Sequence, residues 1–264
     1  MITLHDLHLE DLQNKLHPSV FEEHQDYQIL ILRLPEQINN KFNFNSHGFI
    51  IIEKDVYHYD QIQANLVPFP NGLDDLYHFL DSKIDILMHD IESIQEEIAL
   101  LEDALYQKFT SRFMEHWHAF KKELSQSERV IIKSVDTLEL FITKSKTNAS
   151  FPLSEFYDLH EHLERTLRSN ANANDQLNNL YNYYTLRSND RMNHSIYILT
   201  IISVIFLPLN LVVGFFGMNT GGLPFQKIES GTAYASITMI LFTLGIIASV
   251  LWKIKKDKFS PAPE

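Results

Sequence analysis

The sequence predicts an α+β cytosolic domain, a long helical stalk and two C-terminal transmembrane helices. Three observations predict this architecture. Two short β-branched runs bounded by turn residues lie within residues 27–53, which indicates strands. Apolar residues then recur every three or four positions from residue 73 onwards, which indicates long helices. Two uncharged apolar runs of roughly 20 residues follow near the C-terminus, and each is long enough to cross a bilayer.

The composition excludes several classes of protein. The chain has 264 residues, 22 Lys plus Arg, 34 Asp plus Glu and no cysteine. Without cysteine it has no disulfide framework, no thiolate zinc site and no cysteine nucleophile. The formal net charge of −12 disfavours a nucleic-acid partner, which needs a basic face. No G-x-x-x-x-G-K phosphate loop and no nucleophile–base pair can be identified, so we expect neither an enzyme nor a resident cofactor.

Residues 1–72 are predicted to form a small α/β domain. Residues 27–34 (Y-Q-I-L-I-L-R-L) and 48–53 (G-F-I-I-I-E) have the composition of buried strands. Pro35 ends the first run, and the turn sequence Pro70-Asn71-Gly72 closes the region.

Residues 73–150 are predicted to form two long antiparallel helices. The second runs from about Ser111 to Lys146, and the first carries a heptad-like apolar seam. The seam consists of Leu73, Leu76, Leu80, Ile84, Leu87, Ile91, Ile94, Ile98, Leu101 and Leu105. A third helix begins after Pro152 and continues without a glycine to Gly214, so residues 151–216 are expected to be a stalk helix that becomes the first membrane span.

The distribution of charged residues predicts the position and the orientation of the two spans. No Asp, Glu, Lys or Arg occurs between Arg191 and Lys227, and the spans are predicted at residues 195–216 and 232–252. Residues 217–231 form the connecting loop and residues 253–264 a basic tail. The lysines of the tail, with Arg187 and Arg191 before the first span, place both termini in the cytoplasm and the loop outside. The N-terminus has no signal-peptide pattern, so residues 1–190 are expected in the cytosol.

One uncharged stripe runs along the stalk helix into the first span. Its members are three or four positions apart and alternate amides or hydroxyls with aliphatic side chains. They are Asn182, Asn189, Asn193, Ile196, Leu199, Thr200, Ser203, Leu207 and Asn210. Single polar residues in a span, such as Ser203 and Asn210, commonly bond a neighbouring helix. The continuous stripe favours a pore lining, in which polar rings bind hydration water and apolar rings gate by dewetting.

The most specific motif is Gly217-Met218-Asn219, directly after the first span. Residues 199–224 (L-T-I-I-S-V-I-F-L-P-L-N-L-V-V-G-F-F-G-M-N-T-G-G-L-P) resemble the signature of the CorA superfamily of divalent-cation transporters. The runs at residues 8–12 (H-L-E-D-L) and 21–33 (F-E-E-H-Q-D-Y-Q-I-L-I-L-R) resemble the cytosolic domain of that family more weakly.

The resemblance implies a funnel-shaped homopentamer in membrane lipid, with five copies of the long helix around a pore and the second span outside them. It also implies that Gly217, Met218 and Asn219 form the outer selectivity site. There the Asn219 oxygen would meet a hydrated divalent cation, since Mg²⁺ dehydrates reluctantly and prefers oxygen ligands. A regulatory Mg²⁺ site is a further possibility within the family. Residues 1–72 are short for the family's cytosolic domain, which leaves open whether early strands are missing.

The residues after the motif leave the transported ion open. Thr220-Gly221-Gly222-Leu223-Pro224-Phe225 lacks the carboxylates of the magnesium branch and is similar to the zinc branch of ZntB-type proteins. From the resemblance to the superfamily we expect inward transport of Mg²⁺, with Co²⁺ and Ni²⁺ as further substrates. Because of this loop we keep Zn²⁺ transport as an alternative. A membrane-anchored coiled-coil scaffold without a pore is a third hypothesis. The H-x-H pairs at residues 116–118 and 160–162 are expected to be ordinary surface histidines, because residues two apart point to different sides of a helix.

Overall fold

The computed structural model describes residues 4–38, 41–107, 112–148, 150–218, 224, 227 and 229–258, with the backbone alone at 250, 251 and 253–258. The chain divides into two compact units, residues 1–184 and residues 185–264. The first unit contains a sheet and most of the helical length, and the second contains the two apolar segments.

The sheet of the first unit is an antiparallel meander of five strands in the order β1-β2-β3-β4-β5. The strands are β1 (Val20–Glu23), β2 (Gln28–Ile38), β3 (Lys41–Ile52), β4 (Asp55–Asp60) and β5 (Asn65–Phe69), and helix α1 (Asp6–Gln13) precedes them. The two predicted strands overlap β2 and β3, which pair with Leu30 opposite Phe49. The prediction that Pro35 ends the first run was wrong, because β2 continues to Ile38 and Pro35 pairs with Phe44. Because every pairing is antiparallel, this region is α+β, and describing residues 1–72 as α/β was wrong.

Both faces of β2 are covered, which explains why its sequence is almost continuously apolar. Leu30, Leu32 and Leu34 join the main core on one face. Ile29 and Ile31 point to the other face, where they pack in a smaller cluster with Leu12 of α1. A strand buried on both faces has no polar alternation, and this is the pattern that residues 27–34 show.

Three long helices complete the first unit: α2 (Leu73–Gln107), α3 (Phe113–Ser145) and the first part of α4 (Leu153–Gly217). The predicted seam of α2 is buried in the main core except for Leu101, which is partly buried. Gly72 precedes α2 with φ +59°, and a Cβ there would collide with the carbonyl oxygen of Lys54, so this turn requires glycine.

Helix α4 carries a second seam, with alternating spacings of three and four, that meets the same core. Its buried members are Phe156, Leu159, Leu163, Thr166, Asn170, Ala173, Leu177 and Leu180. The buried Asn170 amide donates to the carbonyl oxygen of Leu124 on α3 at 3.1 Å. The seam ends at Leu180, close to the boundary of the unit at residue 184.

Helix α4 is uninterrupted over 65 residues, as predicted, and its length is about 97 Å. Pro208 lies inside it. The second unit also contains α5 (Gly231–Lys258). Helix α5 extends six residues beyond Trp252, the predicted end of the second span, into the basic tail. Of the residues whose side chains are described in this unit, none is buried.

Candidate functional site

The predicted pore-lining residues lie on α4, where their helical spacing places them on one stripe. None of them is buried within the single chain, and Ser203 is half-buried. Apolar grooves between α4 and α5 are lined on α4 by Leu209, Leu211, Val212, Phe215 and Phe216. At 100° per residue Leu209, Val212 and Phe216 lie roughly opposite the stripe, whereas Leu211 lies at its edge. Helix α5 therefore faces mainly the side of α4 away from the stripe.

The hydroxyl groups of the stripe are already engaged as donors. Thr200 Oγ1 donates to the Ile196 carbonyl at 2.8 Å, and Ser203 Oγ donates to the Leu199 carbonyl at 2.9 Å. Each hydroxyl proton is thus held by the helix, while the oxygen lone pairs remain available as acceptors. Together with amide oxygens such as that of Asn210, they form an uncharged acceptor surface that suits the water shell of a cation.

Two of the three residues of the predicted selectivity motif are described. Gly217 is the last residue of α4, and the amide of exposed Met218 donates to the Phe215 carbonyl at 3.4 Å. Asn219 and residues 220–223 lie outside the described residues. A Cβ on Gly217 would meet nothing within 4 Å among the described residues of this chain, so the single chain does not require glycine there.

A candidate cation-binding cluster lies in the first unit, away from the predicted residues. The ligand atoms of Asp81 and Asp85 on α2 and His162 on α4 lie within 4.8 Å of one another. Asp158 adds a fourth group, with Oδ1 at 3.8 Å from His162 Nε2. Nδ1 of His162 is buried without a hydrogen-bond partner in the described part of the chain. Burial and the neighbouring Asp85 raise the pKa of Asp81, so a positive charge here would relieve both costs.

The prediction that His160 and His162 are ordinary surface histidines was wrong. Both are half-buried, and each has a buried ring nitrogen without a partner among the described residues, whereas His116 and His118 are exposed as expected. The overlooked signal is a pair of i, i+4 repeats, Asp81–Asp85 on one helix and Asp158–His162 on another. Each repeat places two ligands on one helix face, but only the tertiary fold brings the faces together.

A second polar cluster joins the sheet to α2. Glu36 accepts hydrogen bonds from Lys83 Nζ at 2.8 Å, His47 Nε2 at 3.2 Å and Asn45 Nδ2 at 2.7 Å. These donors, His47 foremost, hold the pKa of the Glu36 carboxyl far below its usual range. Burial and the nearby His47 lower the pKa of His58 to about 4. A single carboxylate, that of Glu36, binds both Lys83 of α2 and His47 of β3. The cluster therefore joins the sheet to α2 and acts as a structural junction.

An α+β domain, a long helix that continues as an apolar segment and a second apolar helix define a membrane-attached protein of the two-span type. The sequence matches the family model described as "CorA-like Mg2+ transporter protein" over residues 2–256, and the chain belongs to this family. The predicted family is therefore confirmed.

Comparisons with individual proteins agree with this assignment. The chain is 24% identical over 182 residues to the cobalt/magnesium transport protein CorA of Thermotoga maritima, covering 69% of this chain and 51% of the relative. A zinc transport protein ZntB of Photorhabdus laumondii is 36% identical over 70 residues, or 26% of this chain and 20% of the relative. The complete structure of the CorA magnesium transporter from Methanocaldococcus jannaschii superposes with a TM-score of 0.76 at 19% identity, covering 93% of this chain and 82% of that one. The chain thus spans about half the length of the first curated relative.

Proposed function

We propose that the protein is a homopentameric divalent-cation channel of the cell inner membrane, which imports Mg²⁺ along the axis formed by the α4 stripes. The observation that carries this proposal is the uncharged acceptor stripe of α4, which faces mainly away from α5, in a chain that belongs to the CorA-like family. A lone copy leaves these residues and most of the apolar second unit exposed. Five copies in lipid would cover the apolar surface and bring the stripes together.

The chemistry of the stripe suits a hydrated cation. Mg²⁺ keeps its water ligands tightly, so a pathway lined by neutral oxygen acceptors can bind the shell without removing it. Rings formed by Asn189, Asn193 and Asn210 would hold the water, and Leu199 and Leu207 would form apolar constrictions between them. A membrane potential drives a divalent cation inward by about 4.6 kcal/mol per 100 mV, so import needs no further energy source and no resident cofactor.

The selectivity site is proposed at Gly217, Met218 and Asn219, with the Asn219 oxygen on the hydration shell. Both termini are proposed to be cytoplasmic, because basic residues flank the spans on that side. The cluster of Asp81, Asp85, Asp158 and His162 is proposed as the regulatory cation site, because three carboxylates and an imidazole come together there. A transporter of this kind performs no covalent chemistry.

Zn²⁺ transport is the second candidate, and one observation favours it. The loop sequence T-G-G-L-P-F is similar to the zinc branch, and zinc transport proteins are among the relatives. Zn²⁺ prefers nitrogen and sulfur ligands, which the oxygen-rich stripe does not offer, and this is why Mg²⁺ stands first.

The decisive experiment measures Mg²⁺ and Zn²⁺ flux side by side in proteoliposomes containing the purified chain. Asn219→Ala should abolish flux while the pentamer persists in native mass spectrometry, since each charge-assisted hydrogen bond lost is worth about 1–3 kcal/mol. The matched control is Asn172→Ala, which removes an exposed amide of α4 in the first unit and should transport normally. Wild-type flux through Asn219→Ala would remove the selectivity site, and a wild-type chain without flux would favour the scaffold.

A further inference from the structure

A cationic cavity of about 370 Å³ lies in the first unit, between the start of β1, the β2–β3 pair and α3. Three cationic side chains line it, Arg33 of β2 with Arg129 and Lys133 of α3, and no acidic side chain does. Phe44 and Val130 supply an apolar part of the wall. Such a concentration of positive charge is unexpected in a chain of formal net charge −12.

The fold holds this cavity open with buried hydrogen bonds. Ser19 Oγ accepts from the Arg33 amide at 2.8 Å and bonds Ser134 Oγ at 2.9 Å. Ser134 Oγ in turn donates to the Arg33 carbonyl at 2.7 Å. The two hydroxyls therefore fix the backbone of Arg33 to the start of β1 and to α3. On α3, Arg129 and Lys133 are four residues apart and lie on one face above this base.

The cationic groups of the cavity have no counter-charge within the described chain. Among the described residues, no carboxylate lies within 4.0 Å of Arg33, Arg129 or Lys133. Nε of Arg33 is buried and has no hydrogen-bond partner in that part of the chain. The Arg33 guanidinium lies over the ring of Phe44, with Cζ at 5.6 Å from the centroid. A guanidinium with an unpaired buried N–H is costly to hold without an anionic neighbour.

We propose that this cavity binds a phosphate-bearing anion. A planar guanidinium donates two parallel hydrogen bonds to a phosphate, and Arg129 and Lys133 neutralise the second charge. The volume lies within the range of small-molecule sites, so there is room for an organic group beside the phosphate, against Phe44 and Val130. The site belongs to the first unit and is independent of the proposed ion pathway.

The test measures binding to the full chain in detergent by isothermal titration calorimetry, with inorganic phosphate, adenosine monophosphate and adenosine as separate probes. We expect saturable binding of one anion per chain with a Kd below about 1 mM, weakening as KCl is raised. The double variant Arg129→Gln/Lys133→Gln should bind at least about tenfold more weakly. Both side chains are exposed, so the fold should persist. The matched control is Lys122→Gln, an exposed cation of α3 outside the cavity, which should bind normally.

The three probes identify the source of the phosphate. Tighter binding of the nucleotide than of inorganic phosphate assigns an organic phosphate, and the reverse assigns the free ion. Binding of adenosine as tight as that of the nucleotide would overturn the proposal, as would equal binding to the double variant and the wild-type chain. Absence of saturation by either anion up to about 5 mM would also overturn it. If the double variant then lost its oligomeric state in native mass spectrometry, the cations would instead contact a second copy of the chain.

Discussion

The two halves of helix α4 differ in how they are stabilised, although they belong to one uninterrupted helix. Before the boundary at residue 184, every third or fourth residue is buried against α2, α3 or the sheet. After it, none of the described residues is buried, and Leu207 and Leu211 are 70% and 75% exposed. The first half is therefore stabilised by contacts within its own chain, whereas the exposed second half gains little stability from such contacts.

The difference shows that hydrophobicity alone does not decide how a helix contributes to stability. The seam of the first half includes Thr166 and Asn170, yet it is buried, while the more apolar second half is exposed. In water, burial of apolar surface drives the first kind of packing. In a bilayer the lipid is as apolar as the helix, so packing there relies on shape and on polar contacts. The same substitution in the two halves should therefore have different consequences.

The largest expected effect is that of Leu163→Ala in the buried half. Leu163 is fully buried in the main core, and its truncation should lower the free energy of unfolding by about 2–5 kcal/mol. Urea unfolding of the purified chain, followed by Trp117 fluorescence in a Trp252→Phe background, measures this. Trp117 is a suitable probe because its Nε1 donates to the Leu177 carbonyl across the α3–α4 contact at 3.0 Å.

Leu207→Ala is the matched control on the same helix. It makes the same chemical change at an exposed position of the second unit, so the free energy measured by Trp117 should change by less than about 0.5 kcal/mol. An equal loss of stability in the two variants would contradict the distinction between the halves.

A smaller effect is expected from His58→Phe, which tests the polar junction of the first unit. The pKa of His58 is lowered to about 4 in the folded chain, and that of an unfolded histidine is about 6.5. As the pH falls from 7 to 5, His58 takes up a proton in the unfolded chain but stays neutral in the folded chain. The free energy of unfolding should therefore fall. With allowance for partial exposure, we expect a loss of about 1–2 kcal/mol that the phenylalanine variant does not show.

The measurement is urea unfolding at pH 7 and pH 5 for the wild-type chain, for His58→Phe and for the control His118→Phe. His47 and Lys83 lower the pKa of Glu36, so this carboxylate remains ionised between pH 5 and pH 7. It therefore contributes little to the change of stability with pH. His118→Phe is the control, since His118 is exposed on α3 and its replacement should leave the pH dependence intact. Loss of the slope in the control but not in His58→Phe would show that another group titrates.

Leu207→Asn should alter function in the exposed half while sparing stability. If Leu207 contributes an apolar ring to the proposed pathway, an amide there would favour water and raise cation flux about threefold to tenfold. Stopped-flow uptake of Mg²⁺ into proteoliposomes measures the change, and Ile205→Asn, about 160° around α4 from Leu207, provides the control. A larger response from the Ile205 variant would show that the pathway does not lie on the face of Leu207.

The smallest expected effect is that of Arg165→Ala on the solvated side of the buried half. Arg165 Nη2 lies 3.2 Å from Glu161 Oε1, and the two side chains are 57% and 62% exposed. Ion pairs of this kind contribute less than about 0.5 kcal/mol, so the unfolding curve should barely move. A loss comparable to that of Leu163→Ala would show that position along α4, rather than burial, decides stability.

The parts of the fold that could be predicted are those with a regular hydrophobic period. The heptad seam of α2 and the uninterrupted α4 follow from spacing, because one helical face must be apolar wherever it meets a core. Strands β4 and β5 escaped prediction because they are short, and because His58 interrupts the apolar pattern of β4 and Pro68 lies inside β5. Strand β1, with four residues, is shorter than any periodic signal.

The candidate sites show a similar division. The stripe of α4 could be predicted because all its members lie on one helix, where spacing fixes direction. The cluster of Asp81, Asp85 and His162 could not, because it depends on two helices that are distant in sequence meeting at one point. The cationic cavity likewise combines Arg33 with residues about a hundred positions further along the chain.

Pro208 leaves one backbone carbonyl of the second unit without its usual hydrogen-bond donor. A proline has no N–H, so the carbonyl oxygen of Val204, four residues earlier, lacks its standard partner within the helix. The hydroxyls of the preceding turns cannot replace it, since Thr200 and Ser203 already donate to Ile196 and Leu199. An acceptor without a donor costs several kcal/mol in hydrocarbon, so the Val204 carbonyl requires a water molecule or a donor from a neighbouring helix at that depth. One imino acid thus leaves in each chain a backbone acceptor that water or a neighbouring helix must satisfy.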